Sequence, residues 1–198
     1  MVIDVIIPTY KPGKGFIQLL KQLCMQTVSV NRVIVVNTDE SLFGITQEEL
    51  DSVGTELNIS HIQPNEFDHG NTRREAVMSS NADVCIMMTQ DAIPADDKLI
   101  EKLVEPLNDA NVAVSYARQA AYETSSLTER LTREFNYSSE SKIKTASDLE
   151  TMGIKAFFCS NVCSAYRRST FIELDGFVRQ TIFNEDMLYA YKAQQAGY

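Results

Sequence analysis

The chain has 198 residues, of which 44% are hydrophobic and 23% charged, and this composition is typical of a globular protein with a packed core. Its formal net charge of −9 argues against a nucleic-acid-binding protein, because proteins that bind phosphate backbones present a basic face. The same charge disfavours broad docking on an anionic bilayer, so we expect at most peripheral association with a membrane.

In the first half of the chain, predicted strands alternate with predicted helices. Short apolar runs that end at turn residues predict strands at 2–7, 33–36, 57–62, 84–88 and 112–116. Apolar residues at helical spacing predict helices at 16–24, 71–80 and 99–107, and a capping box at 46–49 opens a further short helix. This alternation is typical of βαβ units, so we predict an α/β fold with a mainly parallel central sheet flanked by helices.

The pattern changes after residue 117. Residues 117–155 are polar and contain one predicted helix at 127–135, and a strand at 157–166 and a helix at 184–196 follow. No repeat or low-complexity tract divides the sequence, and its length suits one domain. We therefore predict a single domain over residues 1–198.

Cysteine usage and the N-terminus indicate a cellular compartment. Cys24 and Cys85 lie in apolar segments, and Cys159 and Cys163 have no further Cys or His near them in sequence to complete a zinc site. The N-terminal run MVIDVIIP is too short for a signal peptide and carries an acid, and no segment approaches the length of a membrane span. We expect reduced cysteines and a cytoplasmic protein, either free or at the inner face of the membrane.

Polar residues follow three of the predicted strands, at the edge where open α/β sheets bind their ligands. They are Thr9 and Tyr10, Asn37 to Asp39, and Thr89 to Asp91. The glycine fingerprint G-x-G-x-x-G is absent, because Gln18 stands where its third glycine is required, and there is no P-loop. A diphosphate bound at this edge must be held in another way, most simply by a divalent metal on Asp91. Alternatively, Asp91 only caps the turn that follows the strand.

The sequence resembles the family-2 glycosyltransferases, which have the GT-A fold. The resemblance is carried by VIIPTYKPG, RVIVVNTDES and HGNTRREA, by TQDAIP where that family has Asp-x-Asp, and by NEDM where it has a catalytic acidic pair. FDHGNTR, REFNYSSES, GIKAFFCSNVCSAYRRSTFIELDGF and NEDMLYAYKAQQAGY are similar, more narrowly, to the bacterial rhamnosyltransferase-like branch. Members of this branch commonly continue beyond QQAGY, which leaves open a catalytic core shortened at its C-terminus or a naturally short protein.

The resemblance implies an inverting transfer from a nucleotide-diphosphate sugar, without a covalent intermediate, in which Mn²⁺ or Mg²⁺ on Asp91 neutralises the leaving diphosphate. Thr89 stands where the family has the first Asp of its motif, which assists near the ribose. This neutral hydroxyl leads to the hypothesis of a deoxythymidine diphosphate donor, whose deoxyribose lacks one hydroxyl. We expect transfer of L-rhamnose from dTDP-rhamnose to a saccharide or lipid-linked saccharide acceptor in surface polysaccharide synthesis. The alternatives are a UDP-hexose donor, or a nucleotide-sugar-binding domain without catalysis.

The resemblance also assigns acidic residues to the reaction. Asp186 is the implied general base, and Glu185 is the fallback base or a ligand of acceptor hydroxyls. The neighbouring Asn184 would cap a helix whose first turn favours acids, and this helix terminus would keep Asp186 ionised. From the residues alone, such acids need no role beyond the helix terminus.

Contacts with the donor are implied for residues at the strand ends and for one arginine: Pro8, Thr9, Tyr10, Asn37, Asp39, Arg73, Thr89 and Gln90. Tyr10 would stack on the base, whereas Asn37 replaces a more common Asp of the family. Arg73 would lie near the nucleotide, or else be a solvated arginine in the first turn of a helix. In this assignment residues 1–116 form the nucleotide-sugar-binding half, and residues 117–198 form the acceptor and catalytic-base half.

Overall fold

The computed structural model describes residues 1–198 and is built around one six-stranded sheet. Its strands are β1 (Ile3–Tyr10), β2 (Arg32–Thr38), β3 (Leu57–Ile62), β4 (Val84–Met88), β5 (Val114–Tyr116) and β6 (Cys163–Arg167). Their order across the sheet is β3-β2-β1-β4-β6-β5, with β1 to β4 parallel and β6 antiparallel to both β4 and β5. The predicted α/β fold with a mainly parallel sheet is confirmed.

Eight α-helices accompany the sheet. They are α1 (Lys14–Cys24), α2 (Gln47–Asp51), α3 (His69–Ser79), α4 (Leu99–Val104), α5 (Leu127–Asn136), α6 (Leu149–Met152), α7 (Arg168–Glu173) and α8 (Glu185–Gln195). Short 3-10 helices occur at Glu40–Leu42, Glu105–Asn108, Ala146–Asp148 and Gly153–Phe157. None of the helices combines the length and the apolar composition that crossing a bilayer requires.

Two hydrophobic cores lie on opposite faces of the sheet, because alternate residues of each strand point to opposite sides. On one face, Ile3, Val5 and Ile7 of β1 belong to a core formed with α1 and α4. On the other face, Ile6 of β1 and Met87 of β4 belong to a core formed with α3, α7 and α8. Since helices cover both faces, the edge at which the parallel strands end remains the place for a ligand.

Two elements differ from their sequence-based predictions. The strand predicted at 157–166 begins only at Cys163, because Gly153–Phe157 forms a 3-10 helix and Cys163 N–H donates to Ser160 O (3.2 Å) in a turn. The helix predicted at 99–107 leaves α-helical geometry after Val104, since Pro106 lacks the N–H that would continue an α-helix. Both differences arise where turn chemistry interrupts an apolar pattern.

Helix α5 is unlike α1, α3 and α8 because it contributes no buried side chain. Its apolar residues Leu127, Leu131 and Phe135 lie four positions apart, so they form one stripe, and all three are exposed. Ser126 caps the helix by accepting from Glu129 N–H (3.2 Å). Helix α5 is therefore held by its own backbone and its cap more than by packing on the sheet.

Candidate active site

The carboxyl ends of β1 to β4 meet at one edge of the sheet, and β6 begins at that edge opposite Met88. The strand order reverses between β1 and β4, where open α/β sheets form a ligand-binding crevice. Beyond the last paired residues, Ile6 and Met87, Tyr10 N–H donates to Gln90 Oε1 (2.9 Å), and Gln90 Nε2 donates back to Tyr10 O (3.0 Å). This reciprocal pair fixes the residues that follow β4 against the end of β1.

The ends of β1, β2 and β3 share a network of polar groups. Thr9 Oγ1 donates to Asn37 Oδ1 (3.0 Å), and Asn37 Nδ2 donates to Asp39 O (3.1 Å). The same Nδ2 lies 3.0 Å from His61 Nδ1. Thr9 and Asn37 are buried, whereas Tyr10 is 50% exposed. Direct contacts of Thr9 and Asn37 with a nucleoside therefore stay predictions, and in the structure these two side chains support the loop that carries Asp39.

Asp39 and Pro8 lie at the same edge and are partly exposed. Asp39 adopts a positive φ of 67°, and its Oδ1 accepts from Ser41 N–H (3.1 Å) and from Ser41 Oγ (2.6 Å). Pro8 pairs with Val36 inside the sheet and has no N–H to donate. Both residues are accessible to a ligand at the strand ends, and their predicted contacts with a donor stay predictions.

The turn that follows β4 presents one free carboxylate. Ala92 N–H donates to Thr89 O (3.1 Å), which closes a turn with Gln90 and Asp91 at its centre. Asp91 is exposed, and the structure shows no hydrogen bond to its carboxylate, so it gives no support to the alternative in which Asp91 caps this turn. The neighbouring Thr89 Oγ1 is buried and has no hydrogen-bond partner in the protein. A hydroxyl and a carboxylate without protein partners therefore lie two residues apart.

No three His, Cys, Asp or Glu side chains lie close enough together to form a metal site from the protein alone. A single free carboxylate still suits Mg²⁺ or Mn²⁺ bound with a diphosphate, because Mg²⁺ sites commonly use one or two carboxylates, substrate phosphates and water. Asp91 fits this chemistry through its exposure and its lack of protein partners. The edge of the sheet beside Asp91 therefore suits a cation that is bound jointly by the protein and a substrate. It does not suit a cation bound by protein ligands alone.

Helix α8 begins with the predicted acidic pair. The predicted cap is wrong, because Asn184 adopts the left-handed conformation (φ 68°) and its side chain makes no capping hydrogen bond. Asp186 is instead held by two backbone donors: its Oδ2 accepts from Asn161 N–H (2.9 Å), and its Oδ1 accepts from Met187 N–H (2.8 Å). Each carboxylate oxygen keeps a free lone pair, so Asp186 can still accept a proton.

The environment of Asp186 makes it a stronger base than an ordinary aspartate. Burial raises the pKa of its carboxyl, and the neighbouring charge of Glu185 acts in the same direction. The N–H donors of Asn161 and Met187 and the charge of Arg73 oppose this shift without cancelling it. The sequence predicts that the helix terminus favours the ionised form of Asp186, whereas in the structure burial outweighs that effect.

Glu185 is the buried member of the pair, with 4% of its surface exposed. Its Oε1 accepts from Asn161 Nδ2 (2.9 Å) and lies 3.5 Å from Arg73 Nη1. Arg73 is itself buried and also donates from Nη1 to His69 O (2.8 Å), so the alternative of a solvated arginine is wrong. Glu185 offers little surface to acceptor hydroxyls, and Asp186 is the acid of the pair that is open to a substrate.

Asn161 joins these parts, although the sequence predicts it inside a strand at 157–166 and no sequence pattern singles it out. Its backbone N–H contacts Asp186, and the next residue, Val162, accepts from Thr89 N–H (3.2 Å) through its carbonyl. One turn therefore contacts both Asp186 and the turn that carries Asp91. Asp186 and Thr89 are distant from this turn in sequence, so local sequence patterns do not identify Asn161.

Residues of the segment between β5 and β6 contact the turn that holds Asn161. Gln119 Nε2 donates to Ser160 Oγ (3.1 Å) and also to Tyr137 Oη. Burial raises the pKa of the Tyr137 hydroxyl, and the charge of Asp186 acts in the same direction. Tyr137 packs edge-on against Phe158, with 5.4 Å between the ring centroids. These contacts join the segment to Ser160, the residue before Asn161.

The sequence matches one known family and two curated relatives. The family described as Glycosyl transferase family 2 matches residues 4–175. The chain is 40% identical over its whole length to O-antigen chain rhamnosyltransferase RfbN of Salmonella typhimurium, and it spans 62% of that protein. It is 35% identical over 98% of its length to O-antigen chain rhamnosyltransferase WbaN of Salmonella anatum, and it spans 61% of that protein.

The fold matches solved structures of the GT-A type. TarS 1-349 of S. aureus superimposes with a TM-score of 0.71 at 18% identity, covering 98% of this chain and 55% of that chain. Mannosyltransferase PcManGT from Pyrobaculum calidifontis, solved in complex with GDP-Man and Mn²⁺, superimposes with a TM-score of 0.67 at 17% identity, covering 99% of this chain and 52% of that chain. At these identities the similarity shows the GT-A fold alone.

Proposed function

The chain belongs to glycosyltransferase family 2, and from this premise we propose that it transfers L-rhamnose from dTDP-rhamnose to a saccharide or lipid-linked saccharide acceptor of a surface polysaccharide. The choice of rhamnose is supported by the two curated relatives, whose names describe O-antigen chain rhamnosyltransferases. We place the reaction in the cytoplasm, with at most peripheral association of the protein with a membrane.

One observation carries the catalytic part of this proposal: a single turn contacts the surroundings of both candidate acids. Asn161 N–H donates to Asp186, and Val162 O accepts from Thr89, which begins the turn that carries Asp91. An inverting transfer needs a base on one side of the sugar and charge stabilisation of the leaving group on the other. Asp186, held by backbone donors, and Asp91, without protein partners, suit these two different roles.

In the proposed reaction, Asp186 takes the proton of the acceptor hydroxyl while the acceptor oxygen forms its bond to C1 of the sugar. The bond between C1 and the diphosphate oxygen breaks, and its electron pair leaves with the diphosphate. Because attack and departure occur on opposite faces of the sugar, the configuration at C1 inverts. The proton stays on Asp186 until water removes it. The raised pKa favours the first step, since it makes the carboxylate a stronger base.

Asp91 would hold a divalent cation together with the donor diphosphate. When bound, the cation supplies positive charge that offsets the charge gained by the leaving diphosphate. The reciprocal pair of Gln90 and Tyr10 fixes the turn of Asp91 before any donor binds, which reduces the ordering required on binding. The exposed ring of Tyr10, at the same edge, is available to stack on the nucleobase.

The choice of a thymidine donor rests on Thr89. An aspartate at this position would accept a hydrogen bond from a ribose hydroxyl, whereas the threonine hydroxyl is neutral and has no partner in the protein. A deoxyribose lacks one of the hydroxyls that such an acid would bind. The neutral side chain therefore leaves no buried charge unpaired beside a thymidine donor.

Calorimetric titration tests the donor and the metal together. With manganese present, we expect deoxythymidine diphosphate to bind more tightly than uridine diphosphate, and we expect a chelator to weaken the binding of both. Asp91→Ala should remove the manganese-dependent part of the binding. Asp97→Ala is the matched control, because Asp97 is an exposed aspartate six residues further along the chain and outside the site.

Each other outcome corrects a definite part of the proposal. Tighter binding of uridine diphosphate would replace the donor by a UDP-hexose and keep the transferase. Manganese-dependent binding by Asp91→Ala equal to that of the parent would remove Asp91 from the metal site. Donor binding without transfer to any saccharide acceptor would favour a nucleotide-sugar-binding domain.

A further inference from the structure

Asn161 occupies the second position of the four-residue turn that precedes β6. Cys163 N–H donates to Ser160 O (3.2 Å), and neither Asn161 nor Val162 has a positive φ, as in a type I turn. The turn itself does not use the backbone N–H of its second residue. In this structure that N–H donates to Asp186 Oδ2 (2.9 Å).

The side chain of Asn161 uses both ends of its amide. Nδ2 donates to Glu185 Oε1 (2.9 Å), while Oδ1 accepts from Ser164 Oγ (2.9 Å) and from Tyr166 Oη (2.8 Å). An ionised carboxylate can only accept, so the amide NH₂ must face Glu185 and the amide oxygen must face the hydroxyls. Asn161 is 3% exposed and has partners at both ends.

Tyr166 anchors this arrangement in the core. It is fully buried, and its ring packs edge-on against three others. These are Phe171, Phe177 and Tyr189, with ring centroids at 5.8, 5.2 and 5.1 Å. A ring enclosed in this way keeps one position, so the hydroxyl that donates to Asn161 is fixed as well. The position of Asn161 is therefore set by the core of the protein before a substrate binds.

We propose that Asn161 is the positioning residue of the acidic pair, and that it separates the pair into one buried carboxylate and one that faces the substrate. Its amide, together with Arg73, holds Glu185 in the interior. Its backbone N–H fixes one oxygen of Asp186 and leaves lone pairs for the acceptor hydroxyl. This inference rests on the proposed role of Asp186 as the general base.

The titratable groups around Asp186 come from α3 and α8, from the residue that follows α5, and from residues in and just before β6. They are Arg73, Tyr137, Cys159, Tyr166 and Glu185. Burial raises the pKa of the Cys159 thiol to about 12 and that of the Tyr166 hydroxyl well above its ordinary value, so both are uncharged at neutral pH. The charges that act on Asp186 are then those of Glu185 and Arg73, and they oppose one another.

Two substitutions separate the two contacts of Asn161. Asn161→Ala removes the amide and keeps the backbone N–H, whereas Asn161→Pro removes both, and proline is favoured at this position of a type I turn. We expect kcat to fall about tenfold in the alanine variant and about a hundredfold in the proline variant, with an unchanged KM for the donor. Because the N–H lowers the pKa of Asp186, the acid limb of kcat should move to higher pH in the proline variant alone.

Glu185→Gln supplies a second readout, because it keeps the shape of the side chain and removes its charge. That charge raises the pKa of Asp186, so the acid limb should move to lower pH. Asn111→Ala is the matched control, since Asn111 is an exposed asparagine in the turn before β5, and it should keep both kcat and the pH profile. Thermal unfolding of each variant reports whether the fold persists.

The carbon-13 signal of the Asp186 carboxyl, followed by NMR against pH, reads the same shifts without turnover. A pKa of Asp186 that is higher in Asn161→Pro and lower in Glu185→Gln supports the inference. This result would stand even if the parent protein showed no transfer, an outcome that would overturn the proposed function. Parent turnover with unchanged kcat in both Asn161 variants overturns the inference and keeps the proposed function. If the proline variant unfolds, the other two variants still test the inference. An unchanged kcat in Asn161→Ala, or an unchanged pKa of Asp186 in Glu185→Gln, overturns the inference.

Discussion

The two ends of the sheet each hold a buried carboxylate with the same kinds of partner, an arginine and an asparagine. At the amino end, Asp4 accepts from Arg32 Nε (3.0 Å), from Asn31 Nδ2 (2.8 Å) and from Ser80 Oγ (2.7 Å). Asp4 is 1% exposed, and the residues before and after it in β1 are apolar. This set ties the starts of β1 and β2 to the end of α3, and its carboxylate is buried.

At the carboxyl end, Glu185 has a comparable set, formed by Arg73 and Asn161. The difference lies in the next residue, because Asp186 is partly exposed and the pKa of its carboxyl is raised. Burial with an ion pair is common in structural acids, so it does not identify an active site. A partly exposed carboxylate with a raised pKa, next to such a pair, is a stronger indication of a catalytic site.

The largest effect is expected from Asp186→Asn, which tests the partly exposed acid at the carboxyl end of the sheet. The variant keeps the size of the side chain but cannot take a proton, so kcat should fall roughly a thousandfold, within the range that a general base contributes. Donor binding, measured by calorimetry, should stay at the parent level. Turnover at the parent rate would show that the base is a different residue.

Asp4→Ala tests the buried acid at the amino end of the sheet. The substitution leaves the charge of Arg32 and the donors of Asn31 and Ser80 without their acceptor, so the free energy of unfolding should fall by about 3 kcal/mol. Urea unfolding at neutral pH measures the change, with the exposed Asp97→Ala as control. The kcat of the folded fraction should equal that of the parent. A lower value would contradict the view that Asp4 contributes to stability alone.

Thr9→Val probes the network between the strand ends and should have a smaller effect. It leaves the buried Asn37 Oδ1 without its donor at nearly constant side-chain volume, which should lower the free energy of unfolding by about 1–2 kcal/mol. Thr38→Val is the matched control, because Thr38 is a buried threonine whose hydroxyl makes no hydrogen bond in the protein. Equal losses in the two variants, measured by urea unfolding, would contradict a specific role for the bond of Thr9.

The smallest expected effect is a dependence of stability on pH. The pKa of Asp186 is higher in the folded protein than in the unfolded chain, so its contribution to stability is present below the unfolded pKa and is lost as the pH rises through the folded pKa. The free energy of unfolding, measured against pH, should show this loss in the parent and not in Asp186→Asn. The kcat changes in the opposite direction, since it falls as Asp186 becomes protonated at lower pH. Parallel stability curves would contradict the raised pKa.

The sequence predicts those parts of the fold whose determinants are close along the chain. The capping box of α2 is one example, since Thr46 N–H donates to Glu49 Oε2 (2.9 Å) and Glu49 N–H donates to Thr46 Oγ1 (3.3 Å). Strands β3 and β4 have the predicted bounds, because polar residues end each run. In these cases the residues that decide the structure are a few positions apart.

The candidate site depends on contacts that no local pattern contains. The resemblance to a family indicates Asp186 and Arg73, but it gives neither the burial of Arg73 nor its pairing with Glu185. Asn161 falls inside a strand predicted at 157–166, and the turn that gives it its role is recognisable only once the 3-10 helix before it and α8 are in place. Long-range polar contacts of this kind follow from the packed fold.

Because α5 buries no side chain, its local unfolding exposes little additional apolar surface. Its amide hydrogens should therefore exchange with solvent through openings that cost far less free energy than the opening of β1 or β4, whose residues fill both cores. Such an opening of α5 leaves the hydrogen bond between Tyr166 and Asn161 intact, because neither residue belongs to the helix. The backbone donors of Asn161 and Met187 therefore stay on Asp186 when α5 unfolds locally.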